Sequence, residues 1–172
     1  LLRVLIHDAA TPLGVSDAAR LAGLTRAGAR KALKRLLESG IAERVGSGRS
    51  LQYRVRDRHP LTQALEALFK KEKEVYESLL SSLRNVMTQL PEIHAAWLNE
   101  PTDTAEALEL RVVVDVQAVD WMAGELRSHL ADLEAEYDLV IEVVVFTRAD
   151  APTPGPDAVF LRHMGTEHKT GD

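Results

Sequence analysis

Ser16 to Leu37 reads S-D-A-A-R-L-A-G-L-T-R-A-G-A-R-K-A-L-K-R-L-L, two helical patterns that meet at Gly23. The first is short, Asp17 to Ala22, with Ser16 placed to cap it, because a serine hydroxyl accepts a hydrogen bond from a free amide of the first turn. Gly23 takes the positive φ that ends a helix without steric cost. Thr25 caps the second pattern, which runs to Ser39. In it Ala29, Leu33, Leu36 and Leu37 recur at helical spacing on one face, and Arg26, Arg30, Lys31 and Lys34 lie largely on another. Arg30, one turn in, is expected opposite Leu33. A helix with one apolar face and cations from its first turn onward meets the needs of the major groove. It offers donors for base edges near its N-terminus and positive charge for phosphates beyond. Taken alone, the same pattern also describes a surface helix with a solvated basic face.

The next residues separate these readings. Ser39-Gly40 closes the helix, and Ile41-Ala42-Glu43-Arg44-Val45 alternates, with Ile41, Glu43 and Val45 on one side. Gly46-Ser47-Gly48-Arg49-Ser50 turns. Leu51 to Arg56 alternates again, with Leu51, Tyr53 and Val55 on one side. Period-two runs about a Gly-rich turn spell a β-hairpin. A helix-turn-helix followed by a hairpin with Arg at its tip resembles the winged-helix transcriptional regulators over residues 1–58. The order L-A-G-L-T-R-x-x-A-R-K-A-L-K-R-L-L-E-S-G-I-A-E-R carries the likeness. The resemblance implies a three-helix core with a β-wing that binds double-stranded DNA. Thr25, Arg26, Arg30, Lys31 and Lys34 would serve the major groove, and Ser47 and Arg49 the phosphates or minor groove. Gly28 lowers helix propensity by ~1 kcal/mol and is expected to allow a close backbone approach. Leu1 to Asp8 reads as the end of a first helix with Leu2, Leu5 and Ile6 inward. Thr11-Pro12-Leu13 breaks it, and residues 13–15 read as a short strand added to the wing.

Charge is divided unevenly along the chain. The net charge is −5, which by itself argues against nucleic acid, but residues 1–60 hold twelve Lys/Arg against five acids and the remainder nine against 21. A balance of +7 followed by −12 suggests one part that faces phosphates and one that stays off them. The composition, 45% apolar and 27% charged over 172 residues, suits one large or two small globular domains. Without Cys there are no disulfides, thiolate metal sites or thiol nucleophiles. No apolar run approaches the ~20 residues that span a bilayer. Leu1 to Ile6 is too short for a signal-peptide core, so a cytoplasmic protein without membrane contact is expected. The chain opens on Leu1 rather than Met, which leaves open whether residues precede it.

Asp57-Arg58-His59-Pro60 marks a boundary, since Pro60 disfavours helix before it and opens one after it. Leu61 to Leu90 is the longest helical pattern. Leu61, Leu65, Leu68, Val75, Leu79, Leu83, Val86 and Leu90 run along it, broken by Glu72. At ~30 residues it would be about 45 Å long, a linker expected to join the domains and to pack either on another copy of itself, as a homodimer contact, or on the second domain. Pro91 ends it. Ile93–Leu98 and Leu108–Gln117 then read as strands, and Asn99 to Thr104 as a loop between them. Asp120–Tyr137 reads as a helix with Trp121, Leu126, Leu130 and Leu133 inward, and Leu139–Thr147 as a third strand. Residues 152–156 are loop, Val159 to Met164 form an element of undecided type, and the polar tail is expected to be mobile. The fold class is therefore α+β in two domains: a winged helix at 1–59, the long linker helix at 60–90, and an α/β domain with a small mixed sheet at 91–172.

The order long helix, Pro, short strand, loop, strand, helix, then Ile141-Glu142-Val143-Val144-Val145-Phe146-Thr147-Arg148 resembles the minimal nucleotidyltransferase group over residues 92–150. Active members of that group carry Gly-Ser after the first strand and Asp-x-Asp on the second, to hold triphosphate and Mg²⁺. Here Leu98-Asn99 stands for Gly-Ser, Ala107 and Glu109 stand for the two Asp, and Glu142 for a third acid. The resemblance thus implies a degenerate, non-catalytic domain used for dimerisation, for sensing an unidentified effector or for binding a partner. Gly46 to Ser50 lacks the spacing and Lys of a P-loop. The six His show no tight metal spacing, G-x-S-x-G is absent, and Trp97 and Trp121 read as core. No cofactor or metal is expected. The reading is a sequence-specific bacterial-type regulator that binds DNA as a homodimer. Two others remain open: a nucleotidyltransferase targeted by a winged helix, and a winged helix used for protein contacts only.

Overall fold

Left-handed glycines shape the first turns. In a computed structural model, which describes residues 1–7, 11–99 and 107–163, Gly23 has φ 63° and Gly40 has φ 76°. Each follows the end of a helix. Among the described residues the chain is α+β, with five α-helices and two sheets. It divides into two units, Leu1–Glu74 and Val75–Asp172.

The first unit starts with α1 (Leu2–His7), α2 (Val15–Leu21) and α3 (Arg26–Glu38). Position 8, the expected end of the first helix, lies outside the described residues. Helix α2 begins before Ser16, so Ser16 is not its cap. Gly14 takes that place in an extended conformation, and its carbonyl accepts the Ala18 N–H at 2.9 Å. At the other end Leu24 N–H reaches Ala19 O at 2.9 Å and Gly23 N–H reaches Arg20 O at 3.3 Å. These two bonds occupy carbonyls that a helix end leaves free. Thr25 caps α3 as expected, its Oγ1 accepting from Gly28 N at 3.1 Å.

Strands β1 (Ala42–Val45) and β2 (Gln52–Val55) pair antiparallel. The turn between them uses Gly46 at φ 79° and Gly48 at φ 58°. The inward side of β1 belongs to Ala42, which is buried and pairs with Val55. Ile41, Glu43 and Val45 do share the other parity, and Glu43 spends its carboxylate on Arg54 Nε (2.7 Å) and Arg56 Nε (3.5 Å). The short strand expected at 13–15 is a single bridge, Leu13 with Tyr53, because Val15 already belongs to α2. Leu5, Leu33, Tyr53 and Val55 form the core, with Leu2, Ile6, Leu36 and Leu37 packed around it.

Helix α4 (Pro60–Gln89) is shared by the two units. Its start is fixed by Thr62, buried, whose Oγ1 donates to Arg56 O at 2.8 Å. The polar break in its apolar row has a cause in the first unit. Arg3 Nη2 pairs with Glu72 Oε2 at 2.6 Å, and its guanidinium lies over the Phe69 ring at 5.1 Å.

The second unit is a four-stranded mixed sheet in the order β5-β4-β3-β6. It comprises β3 (Ile93–Leu98), β4 (Leu108–Val114), α5 (Val119–Tyr137), β5 (Ile141–Thr147) and β6 (Val159–Arg162). Strands β4 and β5 are parallel; β3 is antiparallel to both β4 and β6. Alternation splits β3 between two cores. Ala96 and Leu98 face α5 and the second half of α4, whereas Ala95 and Trp97 face Ala151, Ala158 and Phe160. Arg162 Nη1 donates to Met87 O (2.8 Å), in the last turn of α4, and to Leu90 O (3.0 Å), which also accepts from Ile93 N–H at 3.2 Å.

Three expectations for this unit are corrected, and one element left undecided is assigned. Strand β4 ends at Val114, and a 3-10 turn at Val116–Ala118 leads into α5. Trp121 is not core: it is 44% exposed, and Met122, at 0%, takes the inward place. The reason is helical phase. Met122, Leu126 and Leu130 are one turn apart, whereas Trp121 stands about 140° from Leu126 at 3.6 residues per turn. Strand β5 starts at Ile141 because Asp138, with φ 49°, turns the chain out of α5 first. The element at 159–164 is a strand to Arg162. Residues 100–104 of the expected loop, and the tail from 164 on, lie outside the described residues.

Candidate nucleic-acid interface

Four-residue steps along α3 advance by about 40°, so Arg26, Arg30 and Lys34 form one gently winding row. All three line a hollow of about 620 Å³, together with the N-terminal turn of α2, Leu37, Leu51, Tyr53, Gly48 and Arg44. The hollow is an open basic trough between α3 and the hairpin. Its one acid, Asp17, stands 3.8 Å from Arg20. Lys34 pairs loosely with Glu38 at 3.6 Å and its side chain stays 77% exposed. Such a pair is screened by water and contributes little. Among the described residues Arg26, Arg30 and Arg44 are exposed and make no ion pair.

The expected contact residues other than Arg49 have definite places. Thr25 stands at the head of α3, its hydroxyl occupied with the cap. A Cβ on Gly28 would meet that hydroxyl oxygen at 3.2 Å, so glycine leaves the cap undisturbed. Arg30 flanks Leu33, about 60° round the helix, rather than opposing it. Lys31 stands apart from the row. It lines a second depression with Leu1, Leu2, Leu24, Gly28 and Arg35. Ser47 is exposed at the hairpin turn, where its carbonyl accepts from Ser50 Oγ at 2.9 Å. Arg49 lies in the 3-10 turn Gly48–Ser50, and its side chain is outside the described parts.

Sequence reasoning passed over Arg44. The signal lay in the hairpin register: Arg44 pairs with Tyr53, so the two share a side of the sheet. Gly46 holds the hairpin turn in this shape. A Cβ there would stand 2.6 Å from the Ser50 carbonyl oxygen, on a backbone at φ 79°. Gly46→Ala is therefore expected to destabilise the first unit by at least about 1–2 kcal/mol and to weaken DNA binding. Chemical denaturation alongside binding isotherms checks this; an unchanged unfolding midpoint would refute it.

In the second unit Glu109 and Glu142 are direct neighbours across β4 and β5. Glu109 Oε1 already accepts from Asn99 Nδ2 at 2.6 Å and from Arg111 Nε at 2.5 Å. Leu98, at the first of the two Gly-Ser positions, is buried in the sheet core.

Comparison with known proteins adds to this geometry. Residues 8–56 match the family model described as "Transcriptional regulator DIP2311-like, C-terminal domain". The stretch that builds the basic trough is thus similar to a domain of transcriptional regulators. No curated protein and no solved structure matches the chain. No helix among the described residues is long and apolar enough to cross a membrane.

Proposed function

We propose that this chain is a sequence-specific, DNA-binding transcriptional regulator that acts as a homodimer. The first unit serves as a winged helix, α3 as its recognition helix and the β1–β2 hairpin as its wing. One observation carries the reading: Arg26, Arg30 and Lys34 of α3 converge with Arg44 of the hairpin on a single exposed trough. Convergence of cations from two elements, with the N-terminus of the presenting helix nearby, suits a phosphate backbone and the groove beside it. The similarity of residues 8–56 to a regulator domain supports the same reading. Homodimerisation is supported by Leu61 and Leu68, one heptad apart on α4 and 53% and 58% exposed. Selection of bound duplexes from a random pool tests it, with light scattering on the purified complex. Recovery of a two-part motif, with half-sites about one helical turn or a multiple apart and two chains per duplex, is expected. Recovery of random sequence, or one chain per duplex, would defeat the proposal.

The second unit is proposed to be non-catalytic. Asn99 and Arg111 engage the one carboxylate that stands at an Asp position of the nucleotidyltransferase pattern, and Ala107 occupies the other. No transfer of label from any NTP with Mg²⁺ or Mn²⁺ is expected onto DNA, RNA or protein. Robust labelling that disappears in Glu109→Ala would reverse this in favour of the enzyme reading.

A further inference from the structure

One face of the second unit's sheet is covered by helices; the other is covered by the chain from Arg148 to Ala158. On that second face the sequence supplies small residues beside a large one. Ala95 and Ala151 leave space next to Trp97, and a hollow of about 430 Å³ results. Trp97 is 1% exposed, and its indole Nε1 is buried without an acceptor among the described residues. Another buried nitrogen, His94 Nε2, has the Asp115 carboxylate 2.9 Å away. The indole has nothing comparable. Indole N–H is a donor only, and native structures rarely leave a buried donor unmatched. The β3–β6 register shifts between Ala96 and Trp97, an irregularity of the kind that re-aims a side chain beside a functional site.

The lining sets the chemistry. Trp97 and Phe160 have ring centroids 6.4 Å apart, and Phe160 stacks on His163 at 4.6 Å with planes 13° apart. Arg148 adds a guanidinium and Thr153 a hydroxyl, and no carboxylate lines the hollow. Aromatic walls call for a planar apolar body, and an unmatched N–H with a guanidinium calls for an acceptor that carries negative charge. The volume is in the range of about 300–1,000 Å³ typical of small-molecule sites. We infer that the hollow between Trp97, Phe160 and the Arg148–Pro154 segment binds a small planar aromatic carboxylate, the indole N–H of Trp97 donating to it. In a regulator such a ligand would be the effector. That role rests on the proposed function, whereas binding itself does not.

The test uses the full chain labelled with ¹⁵N. The chain has two tryptophans, so Trp121→Phe identifies the Trp97 indole N–H resonance. Titration with 2-naphthoate is expected to move that resonance downfield and to saturate. 2-Naphthamide and cyclohexanecarboxylate should bind at least tenfold more weakly by calorimetry. Ala151→Phe, on the covering segment, fills the hollow and should weaken 2-naphthoate at least tenfold with the melting temperature unchanged. Trp97→Phe should weaken it similarly; if that variant fails to fold, Ala151→Phe decides. An indole resonance unmoved at millimolar 2-naphthoate would overturn the inference. So would equal affinity for the amide, or unaltered binding in Ala151→Phe. DNA affinity measured with and without 2-naphthoate reads the effector role separately. A ligand that binds without changing it would leave the site standing and remove the effector role.

Discussion

Leu33→Ala is expected to destabilise the first unit by roughly 2–5 kcal/mol, the usual cost of truncating a buried leucine. Leu33 is 1% exposed and sits among Leu5, Tyr53 and Val55, one contributor from each of α1 and α3 and two from the hairpin. No other side chain of α3 apart from Ala29 is as fully buried. The space left behind would be walled by separate elements, and a small core has few neighbours able to move in. Whole domains are stable by only about 5–15 kcal/mol, so much of the unit's stability is at stake. DNA binding should fail with it, because the row of cations on α3 is held against the hairpin through this side chain. Urea denaturation followed by far-UV circular dichroism measures the loss. Lys34→Ala, one residue on and exposed, should stay within about 0.5 kcal/mol. A Leu33→Ala cost below 1 kcal/mol would mean that α3 does not pack on the hairpin through Leu33.

The second large effect separates the trough from the rest of the basic surface. Arg30 is near the middle of the cationic row, within reach of base edges if α3 enters the major groove. Arg30→Ala should cost roughly 1–3 kcal/mol on the selected duplex and relax preference at one position of the motif. Arg44 lies on the hairpin wall of the trough, where phosphates would pass. Arg44→Ala should weaken selected and scrambled duplexes alike and lower the salt slope by about one per protomer. Lys31 lines the other depression with Leu1, Leu2 and Leu24, so Lys31→Ala should change affinity far less than either. Neither arginine variant should shift the melting temperature much, since both side chains are exposed. Salt series of isotherms on selected and scrambled duplexes distinguish the three. Equal losses for Lys31→Ala and Arg30→Ala would mean that general charge, not the trough, holds DNA. No loss for Arg30→Ala and Arg44→Ala, with folding intact, would favour a hairpin-bearing unit that contacts protein instead.

Local signals in the sequence determined much of the first unit. The Thr25 cap, the left-handed turns at Gly23 and Gly40, the Gly-rich hairpin turn and the opening of α4 at Pro60 each depend on one residue and its near neighbours. Backbone chemistry at that range needs no tertiary information. The same holds for β3, whose bounds follow from Pro91 before it and a mostly apolar run broken only by His94. Side-chain phase was legible only in part. Trp121 is apolar enough to suggest burial, but Met122 holds the buried angle of α5. Ser16 has the chemistry of a cap, but Gly14 holds that place through its backbone alone.

Tertiary structure decided whatever depends on pairing between distant segments. The register of β1 and β2 brings Arg44 beside the α3 row. Arg3 reaches Glu72 and accounts for a charge inside an apolar row. Pairing of β6 with β3 sets Phe160 near Trp97 and creates the second hollow. The Arg3–Glu72 and Trp97–Phe160 contacts join residues more than sixty positions apart, and no local propensity encodes them. They follow from how helices and strands bury their apolar faces against one another, which fixes what each polar face is left to meet.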